Sequence, residues 1–238
     1  MIESLENKNI KNIKKLRDKK YRDKENKFVV EIPNVIKEAL NNNLLIELYV
    51  KENTSFDIDF PVTYIKESIF NKIKTIGTTN VIGIIKKEEN DKLIGTKYIL
   101  LDSIGDPGNL GTIIRSALAF NIDTLVLGDN CVDLYNDKVI RATEGAIFKQ
   151  KIIKMNLEEC INKLKTKNIN IYTTNVNNGI NVEEIEKDNF AIIMGNEGRG
   201  VDPKINALVD NAIYIKTNNV ESLNVGVATS IIMYELNK

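Results

Sequence analysis

Residues 190–200 read FAIIMGNEGRG, an apolar run followed at once by three glycines, Glu197 and Arg199. A short apolar run without alternation is typical of a strand that is buried on both faces of a parallel sheet. The turn behind it holds so much glycine that its backbone needs either unusual angles or close approach to another group. The stretch therefore predicts a buried strand of an α/β fold with a binding loop at its carboxyl end.

The sequence on either side repeats this alternation of strands and helices. Apolar strands are expected in YILLDSI (98–104), DTLVLG (123–128), KIIK (151–154), INIYTTN (169–175) and NAIYIK (211–216), and amphipathic helices in NLGTIIRSALAF (109–120) and NLEECINKLKTK (156–167). This order predicts a mostly parallel sheet covered by helices on both faces. The last segment, SLNVGVATSIIMYEL (222–236), has the length of a helix but is apolar nearly all round. We therefore expect it to be buried against the sheet or against a second subunit.

A second, smaller α/β pattern precedes this one. Strands and helices alternate in FVVEI (28–32), PNVIKEAL (33–40), LLIELYV (44–50), PVTYI (61–65), KESIFNKI (66–73) and NVIGII (80–85). The polar stretch KKEENDKLIGTK (86–97) follows and has little to bury, so it is the best linker candidate. The sequence predicts a boundary near residues 88–96, with a small domain at 1–90 and a larger one at 91–238.

Charge is balanced overall but unevenly distributed. The chain of 238 residues has 33 basic and 33 acidic side chains. Residues 8–27 hold ten Lys or Arg against three acidic residues, an excess of seven, so the remainder sums to minus seven. A basic segment on an acidic body favours an anionic partner such as RNA, although a solvated helix face explains the same charges equally well.

Several functional classes are disfavoured by what the sequence lacks. There is no histidine, which removes the usual general base and the commonest zinc ligand. Cys131 and Cys160 have no metal-binding spacing, so no metal site is predicted. The sequence shows neither a signal-peptide pattern nor an apolar run that could span a membrane, and we expect a cytoplasmic protein.

The glycine-rich loops do not match the common phosphate-binding motifs. Gly195 and Gly200 have the spacing of a P-loop, but Val201 and Asp202 stand where Lys and Ser or Thr are required. The glycines at 105, 108 and 111 do not form the GxGxxG pattern of dinucleotide-binding folds. A nucleotide triphosphatase or a dinucleotide enzyme is therefore a weak hypothesis.

Three loops are expected at the carboxyl ends of strands, the edge where open α/β sheets bind ligands: 102–111, 195–200 and 216–224. The residues gathered there are Asn109, Asn196, Glu197, Arg199, Ser222 and Asn224, together with Arg115 one turn into the helix after the first loop. Each residue also has an ordinary structural interpretation: Asn109 or Ser222 as a helix cap, Arg115 as a solvated side chain, Glu197 and Arg199 as an ion pair within the turn. Taken together, the set favours a binding site.

The same residues resemble a known family. DPGNLGTIIRSALAF (106–120), IIMGNEGRGVDP (192–203) and YIKTNNVESLNVGVATSIIMYEL (214–236) are similar to the three ordered motifs of SpoU/TrmH-type RNA ribose 2′-O-methyltransferases. The segment KLRDKKYRDKENKFVVEIPNVIKEAL (15–40) resembles the RNA-binding domain that precedes the catalytic domain in many members. The resemblance implies a SPOUT-like α/β fold with a C-terminal deep trefoil knot, a homodimer formed through the knot region, and S-adenosyl-L-methionine as the methyl donor.

The resemblance also implies roles for individual residues. Catalytic positions would be Asn109, Arg115, Glu197, Ser222 and Asn224, and the cofactor would be bordered by Gly195, Asn196, Gly198, Gly200, Ile215 and Leu223. The family mechanism has been centred on an arginine base, but arginine effectively never loses its proton in proteins. We therefore expect Arg115 to hold an RNA phosphate and to stabilise the developing alkoxide.

RNA contacts are expected mainly in the basic N-terminal segment. The candidates are Lys14, Lys15, Arg17, Lys19, Lys20, Arg22 and, beyond the boundary, Arg141. Tyr21 and Phe28 would either pack locally or stack on an unpaired base. Ribosomal RNA is the preferred substrate because of the appended domain. The alternatives are a tRNA 2′-O-methyltransferase and a non-catalytic RNA-binding or ribosome-assembly factor.

Overall fold

A computed structural model describes residues 1–88, 90–175 and 179–238 of the chain. It divides into two compact units, the first formed by Met1–Glu88 with Tyr135–Phe148 and the second by Glu89–Leu134 with Lys149–Lys238. In chain order the elements are α1 (Lys8–Lys15), α2 (Lys19–Glu25), β1 (Lys27–Val30), α3 (Pro33–Asn41), β2 (Leu45–Lys51), β3 (Val62–Ile65), α4 (Glu67–Ile73), β4 (Val81–Lys86), β5 (Lys97–Leu101), α5 (Pro107–Ala119), β6 (Thr124–Leu127), α6 (Asp137–Thr143), β7 (Ile152–Lys154), α7 (Leu157–Thr166), β8 (Asn170–Thr174), β9 (Ile180–Asn181), β10 (Phe190–Met194), α8 (Pro203–Asn206), β11 (Asn211–Tyr214) and α9 (Val225–Leu236), with short 3₁₀ helices at Ala146–Phe148 and Val182–Glu184. No helix among the described residues is long and apolar enough to cross a bilayer.

The first unit is built on a four-stranded sheet in the order β1-β4-β2-β3. Both β1 and β2 pair antiparallel with β4, whereas β3 runs parallel to β2. The apolar sides of α1 and α4 pack on this sheet in one cluster that includes Ile10, Ile13 and Phe70. Gly83 in β4 lies under α3, because a β-carbon there would meet the Ile36 side chain at 3.1 Å.

Residues 135–148 fold with the first unit although they lie far along the chain. Their aromatic side chains pack on β1: the ring centroid of Tyr135 lies 4.8 Å from that of Phe28, and Phe148 stacks on Phe28 at 6.4 Å. The Lys87 ammonium group sits 4.9 Å from the centre of the Tyr135 ring. The domain boundary expected between 90 and 91 stays a prediction, and charge and periodicity carry no information about which sheet a segment such as 135–148 joins.

The second unit contains a seven-stranded sheet in the order β7-β6-β5-β10-β8-β11-β9, and its strand pairs are parallel. Strands β5, β6 and β10 lie inside the sheet, and β6 and β10 are buried along their whole length. Their side chains meet α7 in one cluster that includes Leu100, Ile193 and Leu164. The expected α/β class with a mostly parallel sheet is confirmed.

The elements expected from the apolar patterns are present, with differences at polar segments. The basic start is two helices joined at 16–18, because the Asp18 side chain accepts from the Lys20 amide and caps α2. The last helix, α9, buries Ile232, Met233 and Leu236. The linker candidate 86–97 includes residue 89, which lies outside the described residues. The knot stays a prediction of the resemblance.

Candidate active site

The first site loop ends in a capped helix. Asp106, not Asn109, is the N-cap of α5, since its carboxylate accepts from the Asn109 amide at 2.8 Å. Pro107 follows at the first helical position, where a missing N–H costs nothing. Asn109 therefore stands in the first turn of α5 with its side chain free of capping duty.

The second site loop, residues 195–202, closes on itself directly after β10. The amides and carbonyls of Asn196 and Gly200 exchange hydrogen bonds of 3.0 and 2.9 Å. Within this turn the Asn196 side-chain oxygen accepts from the Gly198 amide at 3.0 Å. Gly200 has φ +71°, a conformation that favours glycine. A β-carbon at Gly195 would lie 2.1 Å from the Gly200 carbonyl carbon, so the two arms of the loop close only over a bare α-carbon.

A side-chain hydrogen bond joins these two loops. The Asn109 amide nitrogen donates to Glu197 Oε1 at 2.8 Å. Among the described residues, Glu197 forms no ion pair with Arg199. The interpretation of Glu197 and Arg199 as an ion pair within the turn is thus wrong. Glu197 instead accepts a hydrogen bond from Asn109 in α5.

The third loop arrives at the same place through the start of α9. Asn224, not Ser222, is the N-cap of this helix, and its Oδ1 accepts from the amides of Gly226 and Val227 at 3.0 and 3.2 Å. A β-carbon at Gly226 would lie 3.2 Å from Asn224 Oδ1 and 3.3 Å from Asn109 Oδ1. The two asparagine side chains therefore converge beside Gly226, a residue that the sequence patterns did not single out.

A hydrogen bond between two serine hydroxyls joins α5 and α9 one helical turn beyond Gly226. The hydroxyls of Ser116 and Ser230 are 2.7 Å apart. Because the Ser230 hydroxyl also donates to the Gly226 carbonyl at 2.7 Å, Ser116 is the donor of the pair. This contact joins the second turn of α9 to α5, close to the asparagines at the starts of the two helices.

The remaining expected residues of this site differ in their exposure. Arg115 is exposed on α5, and within the described part of the chain it forms neither a hydrogen bond nor an ion pair. Ser222 is exposed in the loop before α9. Ile215 and Leu223 are half-buried, so each offers an apolar surface beside the loops. The structure thus brings Asn109, Glu197 and Asn224 together and leaves the Arg115 guanidinium available to a ligand.

Asn196 has a different task from the one expected. Its Nδ2 donates to the Ser103 carbonyl at 2.9 Å, while its Oδ1 is occupied by the Gly198 amide. Both ends of the side chain are therefore used to build the loop. We reassign Asn196 from cofactor contact to loop construction.

Two of the basic residues expected to bind RNA instead have internal partners. Arg22 is buried, and its Nη1 donates to the carbonyls of Leu16 and Arg17 at 3.3 and 2.6 Å, which satisfies the end of α1. Arg17 pairs with the buried carboxylate of Glu31. We correct the assignment of these two arginines, because their guanidinium groups hold the first unit together.

The other basic candidates face outward. Lys14, Lys15, Lys19, Lys20 and Arg141 are exposed. Arg141 has a loose partner in Asp137, with 3.5 Å between Nη2 and Oδ2. Phe28 is buried among aromatic side chains, so the expectation of local packing is confirmed for this ring.

The chemistry of the site follows from its donor set. It offers bare backbone at three glycines, half-buried apolar side chains and two exposed guanidinium groups, those of Arg115 and Arg199, which have no hydrogen bond or ion pair within the part of the chain that the structure describes. Among the described residues no group of His, Cys, Asp and Glu could hold a metal ion. Burial raises the pKa of the Cys160 thiol to about 12 and also raises the pKa of Cys131, which favours the protonated, less nucleophilic form of both thiols. An α/β fold with this ligand edge is suited to transfer of a group that arrives already activated.

The fold is a mostly parallel α/β sheet with three loops that converge at one edge, and comparison with known proteins gives the family. The family model described as SpoU rRNA Methylase matches residues 96–234, and the MRM3-like substrate binding domain matches residues 7–82. The chain belongs to the SpoU rRNA methylase family. It is therefore an S-adenosylmethionine-dependent RNA 2′-O-methyltransferase.

Individual relatives cover the whole chain. The 23S rRNA (guanosine(2553)-2′-O)-methyltransferase RlmP of Bacillus subtilis is 35% identical over 99% of this chain and 98% of its own length. The AdoMet-bound rRNA methyltransferase of Sinorhizobium meliloti superposes with a TM-score of 0.86 at 25% identity, covering 99% of this chain and 96% of that one. The SpoU methyltransferase AviRb of Streptomyces viridochromogenes, at 19% identity and a TM-score of 0.84 over 97% of this chain and 98% of its own, shares the fold.

Proposed function

We propose that this chain methylates a ribose 2′-hydroxyl in the RNA of the large ribosomal subunit. The relative RlmP, which matches nearly the full length, acts on 23S rRNA by its name. The matched substrate-binding domain lies in the first unit, where exposed lysines include Lys14, Lys15, Lys19 and Lys20. The observation that carries the proposal is the convergence of Asn109, Glu197 and Asn224 from three separate loops.

The glycine-rich loop and its apolar neighbours fit S-adenosylmethionine. When bound, this cofactor supplies a methyl group activated on a sulfonium. We assign its contacts to the backbone of Gly195, Gly198 and Gly200 and to the half-buried side chains of Ile215 and Leu223. A loop whose arms close only over a bare α-carbon suits a ligand held by shape and main-chain hydrogen bonds.

Arg115 is the residue to which we assign the RNA backbone. Its guanidinium stays protonated and offers several donors in one plane, the geometry that suits a phosphate. Held near the 2′-oxygen by that phosphate, the same charge stabilises the oxygen as it loses its proton. The proton leaves through the phosphate or through water, so the absence of histidine from the sequence is no obstacle.

Asn109, Glu197 and Asn224 form the frame of the site. The Glu197 carboxylate fixes the Asn109 amide, and Asn109 Oδ1 faces the Gly226 position beside Asn224. Ser222, exposed in the adjoining loop, is assigned to contact with the bound nucleotide. Such a frame aligns two reactants, which is the main task when the transferred group is already activated.

A homodimer is part of the proposal. On α9, Val227 and Tyr234 are 47% and 50% exposed, although the rest of the helix is strongly apolar. Exposed apolar side chains on such a helix favour a second copy of the chain as their cover. Sedimentation equilibrium should give twice the mass of the chain, and Tyr234→Arg should shift it toward the monomer. A wild-type monomer at micromolar concentration would contradict this part.

The function is tested by methyl transfer to defined RNAs. Wild-type protein is incubated with methyl-labelled S-adenosylmethionine and with unmodified 23S rRNA or tRNA, and the products are digested to nucleosides. We expect label in a 2′-O-methylnucleoside from 23S rRNA and a loss of at least about tenfold in Asn109→Ala, because one fixed amide is removed. Label on tRNA alone would favour the alternative substrate. Binding of 23S rRNA without label, in the presence of bound cofactor, would favour the non-catalytic factor.

A further inference from the structure

Two polar residues stand directly after β5, at the same sheet edge as the catalytic loops. Asp102 is buried, at 8% exposure, and Ser103 has a φ of +59°. A buried carboxylate needs hydrogen bonds from its surroundings, and a non-glycine residue with positive φ needs something to hold it there. The groups that bond to Asp102 and Ser103 therefore show how this strand end is connected to the site.

The Asp102 carboxylate is bonded at both oxygens. Oδ1 accepts from the Ser103 hydroxyl at 2.9 Å, and Oδ2 accepts from the Asp202 amide at 2.7 Å. Asp202 is the last residue of the 195–202 loop and the N-cap of α8. The carboxylate thus anchors the point at which the loop returns to regular structure.

The other end of the loop is anchored to the same dipeptide. Asn196 donates from Nδ2 to the Ser103 carbonyl at 2.9 Å. That carbonyl points to Asn196 because Ser103 is held in the left-handed region. Asn196 and Asp202, six positions apart, are therefore both tied to two consecutive residues of another strand end.

The loop's own hydrogen bonds, between Asn196 and Gly200 and from the Gly198 amide to Asn196, close its turn but do not tie it to the rest of the unit. Three of its residues are glycines, whose backbones are the most costly to order. Its tip must still hold Glu197 in place for the bond to Asn109. The two anchors supply the order that the glycines lack.

We propose that Asp102, together with the Ser103 carbonyl, is the positioning element of the 195–202 loop. It keeps the loop closed so that Glu197 reaches Asn109 and the glycine backbone is preformed for the cofactor. The cofactor part of this inference rests on the proposed function, whereas the ordering of the loop does not. Asp102 acts through the loop and touches neither reactant.

Two substitutions of Asp102 separate positioning from charge. Asp102→Ala removes both bonds. Asp102→Asn retains them, because the amide oxygen accepts from the Asp202 amide while the amide nitrogen donates to the Ser103 hydroxyl. The matched control is Asp123→Ala: the Asp123 carboxylate also accepts from two backbone amides, those of Thr96 and Lys97 at 2.8 and 2.9 Å, but at the amino end of β5.

The first measurement is hydrogen–deuterium exchange without cofactor, and the second is calorimetric binding of S-adenosylmethionine. In Asp102→Ala we expect peptides covering 195–202 to exchange about tenfold faster and the cofactor Kd to rise about tenfold, since the partly buried hydrogen bond that ties the Asp202 amide to β5 is lost. Asp102→Asn should stay within about threefold of wild type on both measurements, since its hydrogen bonds are kept. Asp123→Ala should change neither measurement in this loop.

The outcomes distinguish this inference from the proposed function. Unchanged exchange of 195–202 in Asp102→Ala overturns the positioning role, as does an equal acceleration in Asp123→Ala. Wild-type protein that binds no S-adenosylmethionine overturns the proposed function, and faster exchange in Asp102→Ala would then still support the positioning role.

Discussion

The basic N-terminal helices and the catalytic sheet edge contain similar residue types, yet their side chains are used in opposite ways. Arg22 in α2 donates to backbone carbonyls and Arg17, at the junction of α1 and α2, pairs with Glu31, whereas the lysines of both helices stay in solvent. At the sheet edge Arg115 is exposed and unpaired within the described residues, while asparagines and a glutamate make the internal bonds.

This difference follows from the chemistry of the two cations. Guanidinium is planar and weakly hydrated and has several donors, so it can be buried against carbonyls or a carboxylate. Lysine keeps its strongly hydrated charge in water and buries only its stem. A count of positive charge therefore overestimates an RNA surface wherever arginines cap helices, and an unpaired arginine near a site is the more informative observation.

The largest effect is expected at Arg115. Arg115→Ala should lower methyl transfer at least about a hundredfold while cofactor binding stays unchanged, because the guanidinium is assigned to RNA and to the developing charge. Arg199→Ala removes the other exposed guanidinium of the same site, so a smaller loss in this variant would show that the effect is particular to Arg115. Initial rates under single-turnover conditions measure both.

Arg115→Lys sharpens the same comparison. A lysine keeps the charge but loses the planar donor set, so we expect no more than a small recovery over Arg115→Ala. Turnover near the wild-type rate in Arg115→Lys would refute the need for a guanidinium.

The next effect concerns the exposed lysines of the first unit. Replacing Lys14, Lys15, Lys19 and Lys20 together by Gln should weaken RNA binding about a hundredfold at low salt and flatten the dependence of log K on log salt by roughly three. Filter binding between low and moderate salt measures this slope. Because these side chains are exposed, the unfolding midpoint should not move. An unchanged slope would place the RNA elsewhere.

For Arg17 we expect a loss of stability rather than a direct loss of RNA binding. Besides this arginine, the buried Glu31 carboxylate accepts from the amides of Thr75 and Ile76 at 2.9 and 2.7 Å. Arg17→Ala leaves that carboxylate without its cation and should lower the free energy of unfolding by about 2 kcal/mol, less than for a fully buried pair because Arg17 is partly exposed. Urea unfolding monitors the loss. An Arg17→Ala variant that unfolds like wild type but binds RNA weakly would return Arg17 to the RNA surface.

The smallest effect is expected on the reactivity of the cysteine thiols. Burial raises the pKa of Cys160 to about 12, so this thiol stays protonated in the folded chain up to strongly alkaline pH, and the thiolate is the reactive form. Iodoacetamide at pH 8 should label Cys160 of the folded protein far more slowly than that of the urea-unfolded chain. Equal rates would mean that α7 opens readily. Activity should be retained after any labelling of Cys131, since neither cysteine is assigned to the chemistry.

Local sequence was sufficient to predict the strands and helices whose burial is visible in the pattern of apolar residues. The apolar run FAIIM is β10, and NLGTIIRSALAF forms most of α5 and ends at its C-cap, because continuous apolar runs and helical periodicity report burial directly. The cluster of Asn109, Glu197 and Asn224 was expected from loops at strand ends and from the family motifs. The N-cap residues of α5 and α9 were not predicted. Asp106 and Asn109 lie within one turn of each other, as do Ser222 and Asn224, and all four residue types can cap a helix.

The sequence by itself determined the class of fold, the family, and the loops that make up the site, because these depend on composition, periodicity and motif spacing along the chain. Only the tertiary structure decided that residues 135–148 join the first unit, that Arg17 and Arg22 serve the core, and that Asp102 anchors both ends of a distant loop. The physical reason is that hydrogen bonds and burial depend on which groups the fold brings within about 3 Å of one another. Asp102 and Asp202 are joined by a hydrogen bond although they lie a hundred residues apart along the chain.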